Sequence, residues 1–168
     1  MSINFDKFNS VVSLFTHQSK SLSENPYLWK KQGNQFTSIS WKDTREQVES
    51  ISRGLLNLGI LKGDRVIILS ENRPEWQIAD LAIMAIGAIT VPAYTTSTTN
   101  DYEHIINHSE ARCIIISSDA LALKAIPAIL KSSKCNNLIK IDNDKLNYEE
   151  PINVNSWNEL IKENKDTT

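Results

Sequence analysis

Two cysteines in 168 residues, Cys113 and Cys135, are too few for a disulfide framework, and neither belongs to a Cys-x-x-Cys pair. Cys113 lies in an apolar run and reads as a small buried hydrophobe, whereas Cys135 falls in the polar stretch 132–137. No excess charge of one sign is present. Eighteen Lys and Arg face 20 Asp and Glu, a formal net charge of −2, which excludes a strongly basic nucleic-acid binder. Long hydrophobic runs are absent too. The longest, residues 81–94, contains Gly87 and Pro92 and is shorter than the ~20 residues that cross a bilayer. With no apolar run behind a basic start, the sequence predicts a reduced, cytoplasmic protein without a signal peptide.

What is present is an ordinary globular composition, 40% hydrophobic and 23% charged, enough for a core without metal or disulfide. Phe5, Phe8, Val11, Val12 and Phe15 recur at helical spacing and predict a helix over residues 5–18. Residues 27–30 and 35–39 flank Gly33-Asn34 and predict an antiparallel hairpin. Ser40, three residues before Asp43, caps a predicted helix over 41–58.

From Arg65 strands and helices alternate. The unbroken run 66–69 reads as a strand covered on both faces, and Asn72, Pro74 and Glu75 read as the cap and first turn of a helix ending at Gly87. Strands follow at 88–91, 113–116 and 138–141. Between them lie a helix around Tyr102, Ile105 and Ile106 and one over 121–129 interrupted by Pro127. The fold class is α/β: a mostly parallel sheet with helices on both faces, preceded by an N-terminal helix and a β-hairpin. Residues 1–142 form the α/β unit, and 143–168 read as a polar connector with a short helix starting at Ser156.

Chemistry is harder to find. The turn Ser70-Glu71-Asn72-Arg73-Pro74-Glu75-Trp76 lacks the glycines a pyrophosphate needs and carries two acids. The hydroxyl-rich loop 95–100 precedes a helix but has no glycine or following lysine, so its Ser and Thr read as caps. His104 and His108 share a helix face, yet Ile105 stands where a metalloprotease needs Glu and no third ligand is evident. His17 is isolated, and no Gly-x-Ser-x-Gly elbow exists. No catalytic, cofactor-binding or metal-ligating residue is assigned.

One ordered set of strings is specific. Leu58-Gly59-Ile60-Leu61-Lys62-Gly63-Asp64-Arg65-Val66 precedes Asn72-Arg73-Pro74-Glu75-Trp76, then Gly87-Ala88-Ile89-Thr90-Val91-Pro92-Ala93-Tyr94-Thr95-Thr96-Ser97, then Ile105-Ile106-Asn107-His108-Ser109-Glu110-Ala111. With Ser40-Trp41, Asp80-Leu81-Ala82 and Ser156-Trp157-Asn158-Glu159-Leu160, this set resembles the N-terminal region of AMP-forming acyl-CoA synthetases, the long-chain fatty acid branch most of all.

The resemblance implies a parent enzyme that joins a fatty acid to CoA through an acyl-adenylate, using ATP, Mg and CoA and releasing AMP and pyrophosphate. The family's phosphate loop ending in Pro-Lys-Gly, its Mg-binding glutamate and its C-terminal lysine have no counterpart in residues 1–168. The chain is therefore expected to be an inactive N-terminal piece that binds none of these ligands. Its truncated sheet is expected to self-associate to some extent, and peripheral membrane association of the parent is left open. The alternatives are a stand-alone partner-binding or regulatory domain, or part of a fatty acyl-AMP ligase or aryl-CoA ligase.

Overall fold

The computed structural model describes residues 5–142 and 152–165, so the connector over 143–151 and the two chain ends lie outside the described residues. After a short 3-10 turn, α1 spans Val11–Leu22, and the hairpin strands β1 and β2 span Pro26–Gln32 and Gln35–Ser40. α2 follows at Trp41–Asn57. The alternating part then runs β3 Arg65–Leu69, α3 Pro74–Ala85, β4 Ile89–Ala93, α4 Thr99–Ser109, β5 Cys113–Ile116, α5 Asp119–Ile129 and β6 Asn137–Lys140. β7 Asn153–Ser156 and α6 Trp157–Glu163 complete it.

The five strands β4-β3-β5-β6-β7 form one sheet in that order, and every pairing is parallel. The fold is thus α/β with the expected helix and hairpin in front. Side chains alternate across the sheet. Val66, Ile68, Cys113, Ile115 and Ile139 meet Phe15 of α1 and residues of α2, α3 and α6 in one core. Ile67, Leu69, Ile114, Ile116 and Leu138 meet α4 and α5 in the other. Strands buried on both faces are why their sequences are unbroken apolar runs.

Several local expectations are corrected. The first helix starts at Val11, not Phe5, because Ser10 and Ser13 form a reciprocal capping box there, and Val11 points to solvent. Arg73, not Asn72, occupies the N-cap of α3 with no side-chain cap bond. Its extended backbone, φ −153° and ψ 160°, is what Pro74 imposes on the residue before it. Pro127 does not interrupt α5, which continues to Ile129 with Pro127 on its exposed side. In the hairpin turn only Gly33 takes positive φ, 59°. Cys135 is buried, and burial pushes its thiol up to about 12 and that of Cys113 well above the ordinary range, so both are unreactive.

β7 is a fifth parallel strand that the polar sequence Asn153-Val154-Asn155-Ser156 does not announce. Asn153 N–H donates to the Asn136 carbonyl at 2.9 Å and its side-chain amide to Asn137 Oδ1 at 2.9 Å. On the opposite edge Ile89 N–H donates to the Asp64 carbonyl at 2.8 Å, so by alternation the N–H groups of Val91 and Ala93 point to β3, while the outward positions are those of Thr90 and Pro92.

α6 docks on α2 where Gly54 leaves room. A Cβ there would stand 3.1 Å from Leu160 Cδ2. Arg53 Nε and Asn57 Nδ2 donate to Asn164 beside this contact, at 2.7 and 2.8 Å. Replacing Gly54 by Leu is expected to push α6 away and destabilise the chain by about 1–3 kcal/mol, read as a lower urea midpoint. An unchanged midpoint would mean that α6 adds nothing to the fold.

Candidate functional site at the carboxyl edge of the sheet

The chain leaves β3 toward β4 on one flank and returns through α4 to β5 on the other. This is the strand-order reversal at which open α/β sheets open a crevice beyond their carboxyl ends. Residues 70–73 follow β3, residues 94–97 follow β4, Ser117 and Ser118 follow β5, and Asp142 lies just past β6. A cleft of about 550 Å³ lies between the first two of these loops, walled by Trp76, Pro92, Ala93 and Tyr94 and edged by Ser70, Glu71, Asn72 and Thr95.

The polar groups are tied to one another. Ser117 Oγ donates to Glu71 Oε2 at 2.5 Å across the β3–β5 gap. Arg73 donates through Nε to Glu75 Oε2 at 2.8 Å and through Nη1 to Asp142 Oδ1 at 2.8 Å. Lys30 of the hairpin donates to Glu75 Oε1 at 3.0 Å. Burial would raise the Glu75 pKa, but hydrogen bonds from Arg73, its own backbone and Lys30 outweigh it and hold the carboxyl at about 2. An internal carboxylate therefore already occupies the positive end of α3, where a phosphate would meet like charge. The Asn-Arg-Pro-Glu-Trp string is a clamp: it joins the hairpin, the start of α3 and Asp142 just beyond β6.

The hydroxyl loop is largely committed to structure. Thr98 forms a capping box with Asp101, its Oγ1 donating to Asp101 Oδ2 at 2.8 Å and accepting from the Asp101 N–H at 3.3 Å. Thr99 Oγ1 donates to the Lys124 carbonyl at 3.0 Å, and the Tyr102 hydroxyl to the Tyr94 carbonyl at 3.0 Å. The His104 and His108 rings stack at 5.4 Å on an exposed helix face, while adjacent Glu103 pairs with Lys131 at 2.6 Å. His17 packs on the Phe8 ring at 5.1 Å.

Lys140, Ser117 and Asp142 are the carboxyl-edge groups that reading the sequence missed. Lys140 is buried at the end of β6 and ion-pairs with Asp119 at the start of α5. A single lysine inside the apolar run Leu138-Ile139-Lys140-Ile141, and Ser-Ser-Asp directly after a strand, are the available signals.

The site and topology define a doubly wound α/β domain with its crevice at the strand ends. Residues 15–167 match the AMP-binding enzyme family, and the chain belongs to it. Long-chain-fatty-acid–CoA ligase FadD15 of Mycobacterium tuberculosis is 38% identical over 87 residues, 52% of this chain and 14% of that protein. Human mitochondrial acyl-coenzyme A synthetase ACSM3 is 32% identical over 144 residues, 80% of this chain and 23% of that protein. The chain thus spans less than a quarter of the length of either relative. Among solved structures, coronafacic acid ligase from Pectobacterium brasiliense superposes with a TM-score of 0.80 at 24% identity, over 94% of this chain and 30% of that one. The anthranilate CoA ligase AuaEII, in complex with anthranoyl-AMP, gives 0.83 at 16% identity, over 99% and 31%. Both share the fold.

Proposed function

We propose that the chain is the N-terminal part of an AMP-forming long-chain fatty acid–CoA ligase. The parent would convert fatty acid, ATP and CoA to acyl-CoA, AMP and pyrophosphate through an acyl-adenylate. The observation that carries this is the ordered set of strings, with Asn72-Arg73-Pro74-Glu75-Trp76 the most discriminating. The likeness to a protein named as a long-chain ligase supports the substrate class, and the likeness to one named as an acyl-coenzyme A synthetase supports acyl-CoA formation.

Among the described residues no three His, Cys, Asp or Glu gather to hold the reaction's metal, and the Glu75 carboxylate is taken up by Arg73 and Lys30. The chain's own contribution is scaffold: the Arg73 clamp fixes the loops that shape the carboxyl-edge crevice. The test is to sequence the gene past the codon for Thr168. A frame running on into a Ser/Thr/Gly-rich loop ending in Pro-Lys-Gly is the expected result, together with no acyl-adenylate formation by the purified 168-residue chain. A stop codon there, or adenylate formed by the chain alone, overturns the reading.

A further inference from the structure

Helix α4 turns one polar stripe to solvent. Asn100, His104 and His108 follow at steps of four with Asn107 beside them, so they project from one side of the helix, away from the buried Tyr102 and Ile106. The two imidazole rings are the centre of that stripe. Their centroids stand 5.4 Å apart with planes 24° from parallel, and both residues are exposed. Together with Glu103 the stripe lines a shallow depression of about 610 Å³.

Among the described residues no hydrogen bond or ion pair takes up a ring nitrogen of His104 or His108. The acids beside them are otherwise occupied. Asp101 is held in the capping box with Thr98, and Glu103 accepts from Lys131 at 2.6 Å, which also neutralises the lysine that reaches across from α5. Residues 99–111 contain Asp101, Glu103 and Glu110 and no Lys or Arg, so the helix carries nothing of its own that repels a cation.

We infer that His104 and His108 chelate a divalent transition cation of the imidazole-seeking kind, copper(II) more tightly than nickel(II) or zinc. Two imidazoles bonded to one ion at about 2.0–2.1 Å have ring centres on the order of 5 Å apart, so the observed pair closes on an ion with small side-chain rotations. Chelation separates this pair from a lone surface histidine: once one ring holds the ion, the other meets it at the high effective concentration set by one helical turn. No third His, Cys, Asp or Glu joins them among the described residues, which leaves an open site with water in its remaining positions. A hard cation such as magnesium, which takes oxygen ligands, is not held. Because the ion bridges residues one turn apart, it binds the helix and not the unfolded chain, and so stabilises the fold. The site is complete within α4, and a stop codon after Thr168 would leave it standing.

The experiment is equilibrium dialysis of the purified, untagged chain against the chlorides of copper(II), nickel(II), zinc and magnesium, with H104A, H108A and H17A alongside. One equivalent of copper(II) that depends on both α4 rings is expected, with nickel(II) and zinc weaker and magnesium not retained. The two cysteines are buried and do not compete. H104A and H108A are each expected to weaken copper binding by about tenfold or more, and H17A to leave it unchanged. Without metal, the urea midpoints of H104A and H108A should be no lower than that of the natural chain, because these rings are exposed. Saturating copper(II) should raise the midpoint of the natural chain and not that of H104A. Copper binding that H104A and H108A leave untouched, or that H17A weakens as much, marks an adventitious ion only and overturns the inference. So does magnesium retained as well as copper(II), or a urea midpoint that copper(II) does not raise.

Discussion

Replacing Trp157 by Ala is expected to destabilise the chain by about 3–5 kcal/mol, the largest effect of any single truncation considered. Trp157 opens α6, is 2% exposed and belongs to the core that joins α2 and α3 to the sheet. Removing an indole from a close-packed interior loses its transfer free energy and leaves a void that neighbours refill only in part. For a chain of this size the melting temperature should fall by roughly 10 °C. Leu56, exposed on α2, supplies the control, since its change to Ala should move the midpoint little. A loss below about 1 kcal/mol at Trp157 would mean that β7 and α6 are not part of the cooperative unit.

The second large effect concerns Glu75. Its carboxyl is held at about 2 in the folded chain against an ordinary value of 4.5, so the folded state binds its proton less readily than the unfolded state. The stabilisation is therefore present above pH 4.5 and is lost as pH falls toward 2. Arg73 and Glu75 are mostly buried, with side-chain exposures of 19% and 15%. Allowing for the solvent that still reaches the pair, the contribution is of order 2 kcal/mol. Glu75→Gln should cost about that much at neutral pH and flatten the dependence of the urea midpoint on pH over the acid range. If the variant and the natural chain lose stability in parallel as pH falls, the Arg73 clamp is not the group responsible.

Sequence patterning reached the parts of this fold that are specified by burial. Residues 66–69 read as a strand covered on both faces and 113–116 as a strand, and both are buried strands of the sheet. It failed where the backbone or a single partner decides. β7 is held by main-chain pairing and an asparagine amide, so no apolar alternation marks it. The start of the first helix differs because Phe5 and Phe8 mimic helical spacing ahead of the Ser10 capping box. For the carboxyl-edge site, the loop after β3 was singled out from its lack of glycine, but its role was not legible. Arg73 finds Asp142 across 69 positions of sequence, and Ser117 finds Glu71 across 46. Contacts of that separation follow from strand order, which periodicity does not encode.

The strand order also bears on how the chain can be made. β4 flanks β3 on one side, and its outward Pro92 has no N–H to offer, so that edge accepts no further strand readily. β5 is laid on the other flank of β3, and β6 and β7 are then each laid beside the strand completed just before it. A chain emerging from the ribosome N-terminus first can therefore close the β3–β4, β5–β6 and β6–β7 pairs each as soon as one connection has been synthesised, and the β3–β5 pair once β4 has been passed. Once β4 is in place, accretion at the one remaining edge keeps loop-closure costs low in a topology that is otherwise slow to form.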